Sequence, residues 1–213
     1  VSMADLTRVT TRSLGPFSYA QLTALASRKG VDAAISRKEL IRLLPNRYCN
    51  ALHCESWLVR ALAAVDWSGG ALAGQSALAM AGAGEEPTAI DVVVKPGLHR
   101  AGPDWVRVRS TVNATPTFHA LGRSVVTPAA AVVQAFAWAP ADRRAGLILE
   151  ACRRGVSPEH VLAASESYSR LPGRAELTLM VWLRSLGGGV FAALRGGLVA
   201  AITQDWLQVG VAV

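Results

Sequence analysis

Along the first quarter of the chain, apolar positions come in short groups separated by turn residues. Gly15-Pro16 interrupts the chain, and Ser18 then stands three residues before Gln21, the spacing of a capping box. Leu22, Leu25 and Ala26 follow at helical spacing, which predicts a short amphipathic helix with Arg28 and Lys29 near its end. Gly30 reads as the turn, and Asp32 as the cap of a second helix carrying Ala34, Ile35, Arg37 and Lys38. The runs Leu40-Ile41-Arg42-Leu43-Leu44 and Arg47-Tyr48-Cys49 flank Pro45-Asn46, the pattern of a tight β-hairpin. A competing pattern covers the same stretch. Ser36 and Glu39 also have capping-box spacing, and Pro45 would stop a helix, so residues 36–44 read equally as the second helix. Both alternatives put Arg28, Lys29, Arg37 and Lys38 around a helix-turn-helix.

After residue 54 the periodicity becomes that of α/β material. Glu55 to Val65 is helical and apolar, Gly69-Gly70 ends it, and Ser76 to Ala81 predicts a short buried helix. Ala89 to Lys95 is a strong strand pattern closed by Pro96-Gly97, and Val106 to Thr111 alternates apolar and basic residues as a half-exposed strand does. Ser124 to Thr127 predicts a third strand. Pro128 opens a helix to Trp138, Asp142 caps one to Arg154, and Ser157-Pro158-Glu159 begins another. Leu171 to Leu186 predicts the last long helix, ended by Gly187-Gly188-Gly189. The expected fold class is α+β or α/β: a winged helix-turn-helix over 1–54 and a mixed α/β domain over 55–213.

Charge changes the picture for the first part. The 213 residues hold 22 Lys+Arg and 15 Asp+Glu, a formal net charge of +7. Residues 1–54 hold eight basic and three acidic groups, a net of +5, whereas the rest holds 14 and 12, a net of +2. Positive charge gathered on a small segment is the footprint of a polyanion binder. All but three of the cations are Arg, whose planar fork contacts phosphate or guanine bidentately. Arg28, Lys29, Arg37, Lys38, Arg42 and Arg47 are therefore the candidate DNA-binding residues, the last two on a wing. Arg37→Ala or Lys38→Ala is expected to weaken operator binding, and Arg47→Ala to lower its salt slope. The six Trp all lie after residue 54, so the basic segment lacks the interleaved aromatics of a single-strand binder, which favours duplex DNA.

The segments FSYAQLTAL (17–25) and ELIRLLPNRYC (39–49), with the basic helix between them, resemble the N-terminal winged helix-turn-helix of AbiEi-type antitoxins. ALAGQSALAMAGA (71–83), the strands IDVVVKPG (90–97) and VRVRS (106–110), and GRSVVTPAAAVVQA (122–135) resemble that family's C-terminal domain. The similarity spans most of residues 13–185. Pro-Asn stands before Arg47-Tyr48 where the family commonly has glycine, and the tail after Gly187 matches nothing. The resemblance implies the antitoxin of a toxin–antitoxin pair that represses its own promoter through inverted repeats. It also implies that the C-terminal domain counters a nucleotidyltransferase-like toxin. The chain lacks the Gly-Ser and Asp-x-Asp that the toxin's catalysis requires.

Other chemistry is thinner. Cys49, His53 and Cys54 cluster without a fourth partner motif, so no metal site is expected, and no cofactor either. Asp91 and Lys95 in IDVVVK have the spacing of a nuclease strand but no second carboxylate nearby, which leaves a DNA-targeted nuclease as the enzymatic alternative. A non-catalytic protein is the primary expectation. Another alternative is an adaptor whose apolar tail, 186–213, docks a partner. Arg195, Gly196, Gly197 and Asp205 interrupt that tail as a membrane span. Three Cys and no signal-peptide pattern lead to the expectation of a reducing cytoplasm.

Overall fold

Two separate hydrophobic clusters organise the chain in its computed structural model, which describes residues 3–98, 100–112 and 115–185. The tail 186–213, with Trp206 and the triple glycine, and His99 lie outside the described residues. The first cluster joins Leu6, Leu22, Ala26, Val31, Ala34 and Leu40. It holds together α1 (Met3–Arg12), α2 (Tyr19–Leu25), α3 (Arg28–Ser36) and the hairpin of β1 (Leu40–Leu44) and β2 (Arg47–Asn50). This N-terminal part is compatible with a winged helix. The capping box is present at α2: Ser18 Oγ accepts from the Gln21 amide at 3.2 Å, and Gln21 Oε1 accepts from the Ser18 amide at 2.7 Å.

The boundary between α2 and α3 differs from the sequence expectation. Ser27, not Asp32, is the N-cap of α3, its hydroxyl accepting from the Gly30 amide at 3.2 Å. Gly30 and Asp32 therefore lie inside the helix, and Arg28 and Lys29 open α3 instead of closing α2. Arg37 is the C-cap, and Lys38 follows in the left-handed region at φ 59°, so both stand past the helix end. Of the two alternatives for 36–44, the hairpin forms. Leu40 pairs with Asn50, Ile41 with Cys49 and Arg42 with Tyr48, and a bulge precedes the Leu44–Arg47 pair. Pro45 then Asn46 at φ 55° has the residue pattern of a type II turn, in which the second central position needs a positive φ. Asn tolerates that region better than most other side chains.

The second cluster belongs to an α+β body with a mixed sheet. After a short 3-10 turn at Ala51–His53 come α4 (Trp57–Ser68), β3 (Ala71–Leu72), α5 (Gly74–Met80), β4 (Ile90–Val94) and β5 (Val106–Ser110). β6 (Thr117–Ala120), β7 (Arg123–Val126), α6 (Pro128–Trp138), α7 (Ala141–Arg153), α8 (Pro158–Glu166) and α9 (Arg174–Ser185) complete it. The strand order is β5-β4-β3-β7-β6, with β4–β5 and β3–β7 parallel and β3–β4 and β6–β7 antiparallel. All five residues of β4 are buried, so both faces of the sheet are covered there; α4 and α5 both pack on it. Among the described residues no helix is long and apolar enough to cross a membrane.

The two-residue strand β3 is held in the middle of the sheet by a close backbone approach. A Cβ on Gly70 would stand 2.2 Å from the Val93 carbonyl oxygen and 2.8 Å from Val94 Cγ1. A backbone oxygen cannot turn aside as a side chain can. Gly70→Ala is expected to cost about 1–3 kcal/mol or more, seen as a lower urea midpoint. An unchanged midpoint would mean that β3 is free to shift.

Candidate nucleic-acid interface

The expected DNA-binding residues fall into three places. Arg28 and Lys29 form the first turn of α3 and are exposed. Arg37 and Lys38 lie beyond the other end of a nine-residue helix, about 13 Å along its axis at 1.5 Å per residue. Arg42 is exposed in the middle of β1, and Arg47 is half-buried at the start of β2. The six therefore lie at the two ends of α3 and on the hairpin. The stripe that α3 leaves uncovered, opposite buried Val31 and Ala34, contains Arg28, Lys29, Asp32 and Ser36.

Arg28 and Lys29 sit where helix stability disfavours them. The N-terminal end of a helix carries partial positive charge and unpaired N–H groups, so cations in the first turn are unfavourable there. No acidic residue shares that turn. Among the described residues neither cation is in an ion pair. The result is a concentrated positive end at the start of α3, suited to an anionic ligand.

The remaining candidates are less available. Arg37 is held by Glu39 through two hydrogen bonds, Nε to Oε1 at 2.7 Å and Nη2 to Oε2 at 3.2 Å. That pairing raises the Arg37 pKa and lowers the Glu39 pKa, and it neutralises the charge locally. Arg47 was expected to reach DNA from the wing. Its Nη2 instead donates to the Asp66 carbonyl oxygen at 2.7 Å, and its Nη1 to the Asn46 carbonyl oxygen at 2.9 Å. Asp66, near the end of α4, also accepts two hydrogen bonds from Arg123 of β7, at 2.9 and 3.1 Å.

The hairpin tip is thus fastened on both sides. Asn46 Oδ1 accepts from the Tyr19 amide at the start of α2 at 2.9 Å, while Arg47 reaches α4. Arg47→Ala is expected to lower thermal stability by about 1–3 kcal/mol, the worth of hydrogen bonds from a charged donor. The salt slope of DNA binding should stay as in the wild type. A changed slope at unchanged stability would return Arg47 to the DNA contact set.

The other chemistry singled out in the sequence takes bland forms. Cys49 is buried, and burial pushes its thiol up to about 12. His53 directs Nε2 at the Thr11 carbonyl oxygen at 2.8 Å, and Cys54 lies near the Glu55 carboxylate. Among the described residues no three His, Cys, Asp or Glu side chains gather to hold a metal ion. Asp91 is buried in β4, where it accepts from Arg109 Nε at 3.1 Å; burial raises its pKa despite the Arg109 partner. Arg109 in turn stacks on Trp138 at 4.3 Å, and Lys95 is exposed beyond the strand end. Asp91 and Lys95 are therefore not presented together.

Asp32 and Tyr19 escaped the sequence reading as site residues. Tyr19 Oη donates to Asp32 Oδ1 at 2.9 Å, bracing α2 against α3. The only available sign was Asp32 standing four residues after Arg28, and the misplaced helix start hid it.

No family model matches the chain, and no curated protein matches it. Among solved structures, the chain is similar to the crystal structure of the RV2827C protein from Mycobacterium tuberculosis, at 14% identity and a TM-score of 0.40. The match covers 82% of this chain and 79% of that one. So distant a likeness assigns neither a family nor a function.

Proposed function

We propose that this chain is a DNA-binding antitoxin that represses its own promoter at inverted repeats and counters a nucleotidyltransferase-like toxin. The observation that carries the DNA-binding part is the exposed Arg28–Lys29 pair on the electropositive end of α3. A second helix of this kind enters the major groove by its N-terminal residues, and flanking cations neutralise phosphates. Arg42 and Lys38, both exposed, are available for such flanking contacts. Arg37 is weakened for that role by Glu39, and Arg47 by Asp66. The antitoxin part rests on the resemblance of residues 13–185 to AbiEi-type proteins. In this reading the body, residues 55–213, carries the toxin-countering activity and 1–54 the DNA contact.

Nuclease footprinting on the DNA around the chain's own reading frame tests the first half. Two protected half-sites in inverted orientation are expected, and uniform cleavage at saturating protein would refute it. For the second half, the reading frames beside this chain's own are searched for a nucleotidyltransferase-like gene, and growth is measured while that gene is induced with and without this chain. Rescue is expected. Equal growth arrest in both cultures would remove the antitoxin assignment.

A further inference from the structure

An acidic side chain on a DNA-facing surface is a liability unless it meets a donor. Phosphate repels it, and water must be removed from it. Asp32 stands on the uncovered stripe of α3, one turn after Arg28, and is exposed. Its position is fixed by neighbours rather than left to float: Asn46 accepts from the Tyr19 amide at 2.9 Å, and the Tyr19 hydroxyl donates to Asp32 Oδ1 at 2.9 Å. The hairpin tip thereby sets Tyr19, and Tyr19 sets the carboxylate. The hydrogen bond to Asp32 holds the Tyr19 phenol above its ordinary pKa. An ionised carboxylate accepts about four hydrogen bonds, so one from Tyr19 leaves capacity for a ligand.

In the major groove, the exocyclic amine of cytosine is the donor that Asp and Glu read, while Arg and Lys read guanine. We infer that Asp32 is a specificity-determining residue that accepts from a cytosine amine in each half-site, beside a guanine read by Arg28 or Lys29. This rests on the duplex-binding reading above and deepens it by naming the base that the acid selects. Tyr19 is then a positioning residue, holding the carboxylate without touching DNA. An acid in this place also lowers attraction to unrelated duplex, so it discriminates in two ways.

The test is selection from a randomised duplex library by the full-length wild-type chain, the Asp32→Asn variant and the Tyr19→Phe variant. The wild type should enrich a fixed cytosine in each half-site. Asp32→Asn keeps the shape and an acceptor for Tyr19 but adds amide donors. It should lose the cytosine preference on the order of tenfold or more, shift toward adenine, and bind unrelated duplex more tightly. Tyr19→Phe should relax the same position and no other. If Asp32→Asn selects the wild-type motif unchanged while binding DNA, Asp32 is only a brace between helices and the inference fails while the function stands. If the wild type enriches no sequence, the duplex-reading function fails and the inference with it.

Discussion

Leu44→Ala is expected to cost about 2–5 kcal/mol, the range for removing a fully buried leucine from a core that cannot collapse onto the gap. Leu44 is 2% exposed and packs in the large cluster of the body, although it lies on the hairpin that follows the helix-turn-helix. Leu40, at the other end of the same strand, is 3% exposed and packs in the N-terminal cluster. Five residues of β1 thus bridge two cores, and the two truncations should report different losses. Leu44→Ala should lower the stability of the body. Leu40→Ala should loosen the seating of α3 and weaken DNA binding at temperatures where the body remains folded. Urea denaturation followed by tryptophan fluorescence reads the body selectively, because every Trp lies after residue 54. A loss under about 1 kcal/mol for Leu44→Ala would mean that the hairpin does not couple the two clusters.

The paired substitution Arg28→Ala with Lys29→Ala is expected to move binding and stability in opposite directions. A cation reading a base is worth about 1–3 kcal/mol, and one that only touches phosphate less. The pair should therefore weaken duplex binding by one to several powers of ten, roughly, at moderate salt. Both residues also oppose the dipole of α3, and their removal should leave the folding stability unchanged or raise it slightly, by at most about 0.3–1 kcal/mol per residue. A variant that binds worse because it is misfolded would show both quantities falling together. Binding equal to wild type would take α3 out of the interface.

How far the sequence revealed this arrangement can be argued from particular residues. The capping box at Ser18–Gln21, the strand 90–94 and the helix opened by Pro128 are local signals, and each forms where its residues predict. The hairpin was ambiguous because Ser36 and Glu39 have capping-box spacing and Pro45 would stop a helix, so 36–44 suited a helix as well as a strand. Tertiary context decided it, with Leu40 and Leu44 buried in different cores. The start of α3 was misplaced because Gly30 is a better turn residue than Ala26 by propensity. Ser27 nevertheless caps the helix, and Gly30 serves only as the amide it binds. That shift exchanged the cations at the two ends of α3.

Helix α1 was not foreseen, since its Thr and Val residues favour helix weakly; burial of Leu6 and Thr10, four apart, supports it. Strand β3 is too short for any periodicity to show. The bond from Arg47 to the Asp66 carbonyl, 19 residues on, has no local signature, so the strap from the hairpin to α4 was not legible in the sequence.

The most direct measurement is the affinity of the full chain for duplex DNA as a function of salt. The logarithm of the binding constant should fall linearly with the logarithm of salt concentration, by about 0.9 for each phosphate neutralised. The Arg28→Ala, Lys29→Ala chain should give a shallower line. No binding to any duplex at low salt, or affinity indifferent to salt, would contradict the claim that the cationic N-terminal part holds the double helix.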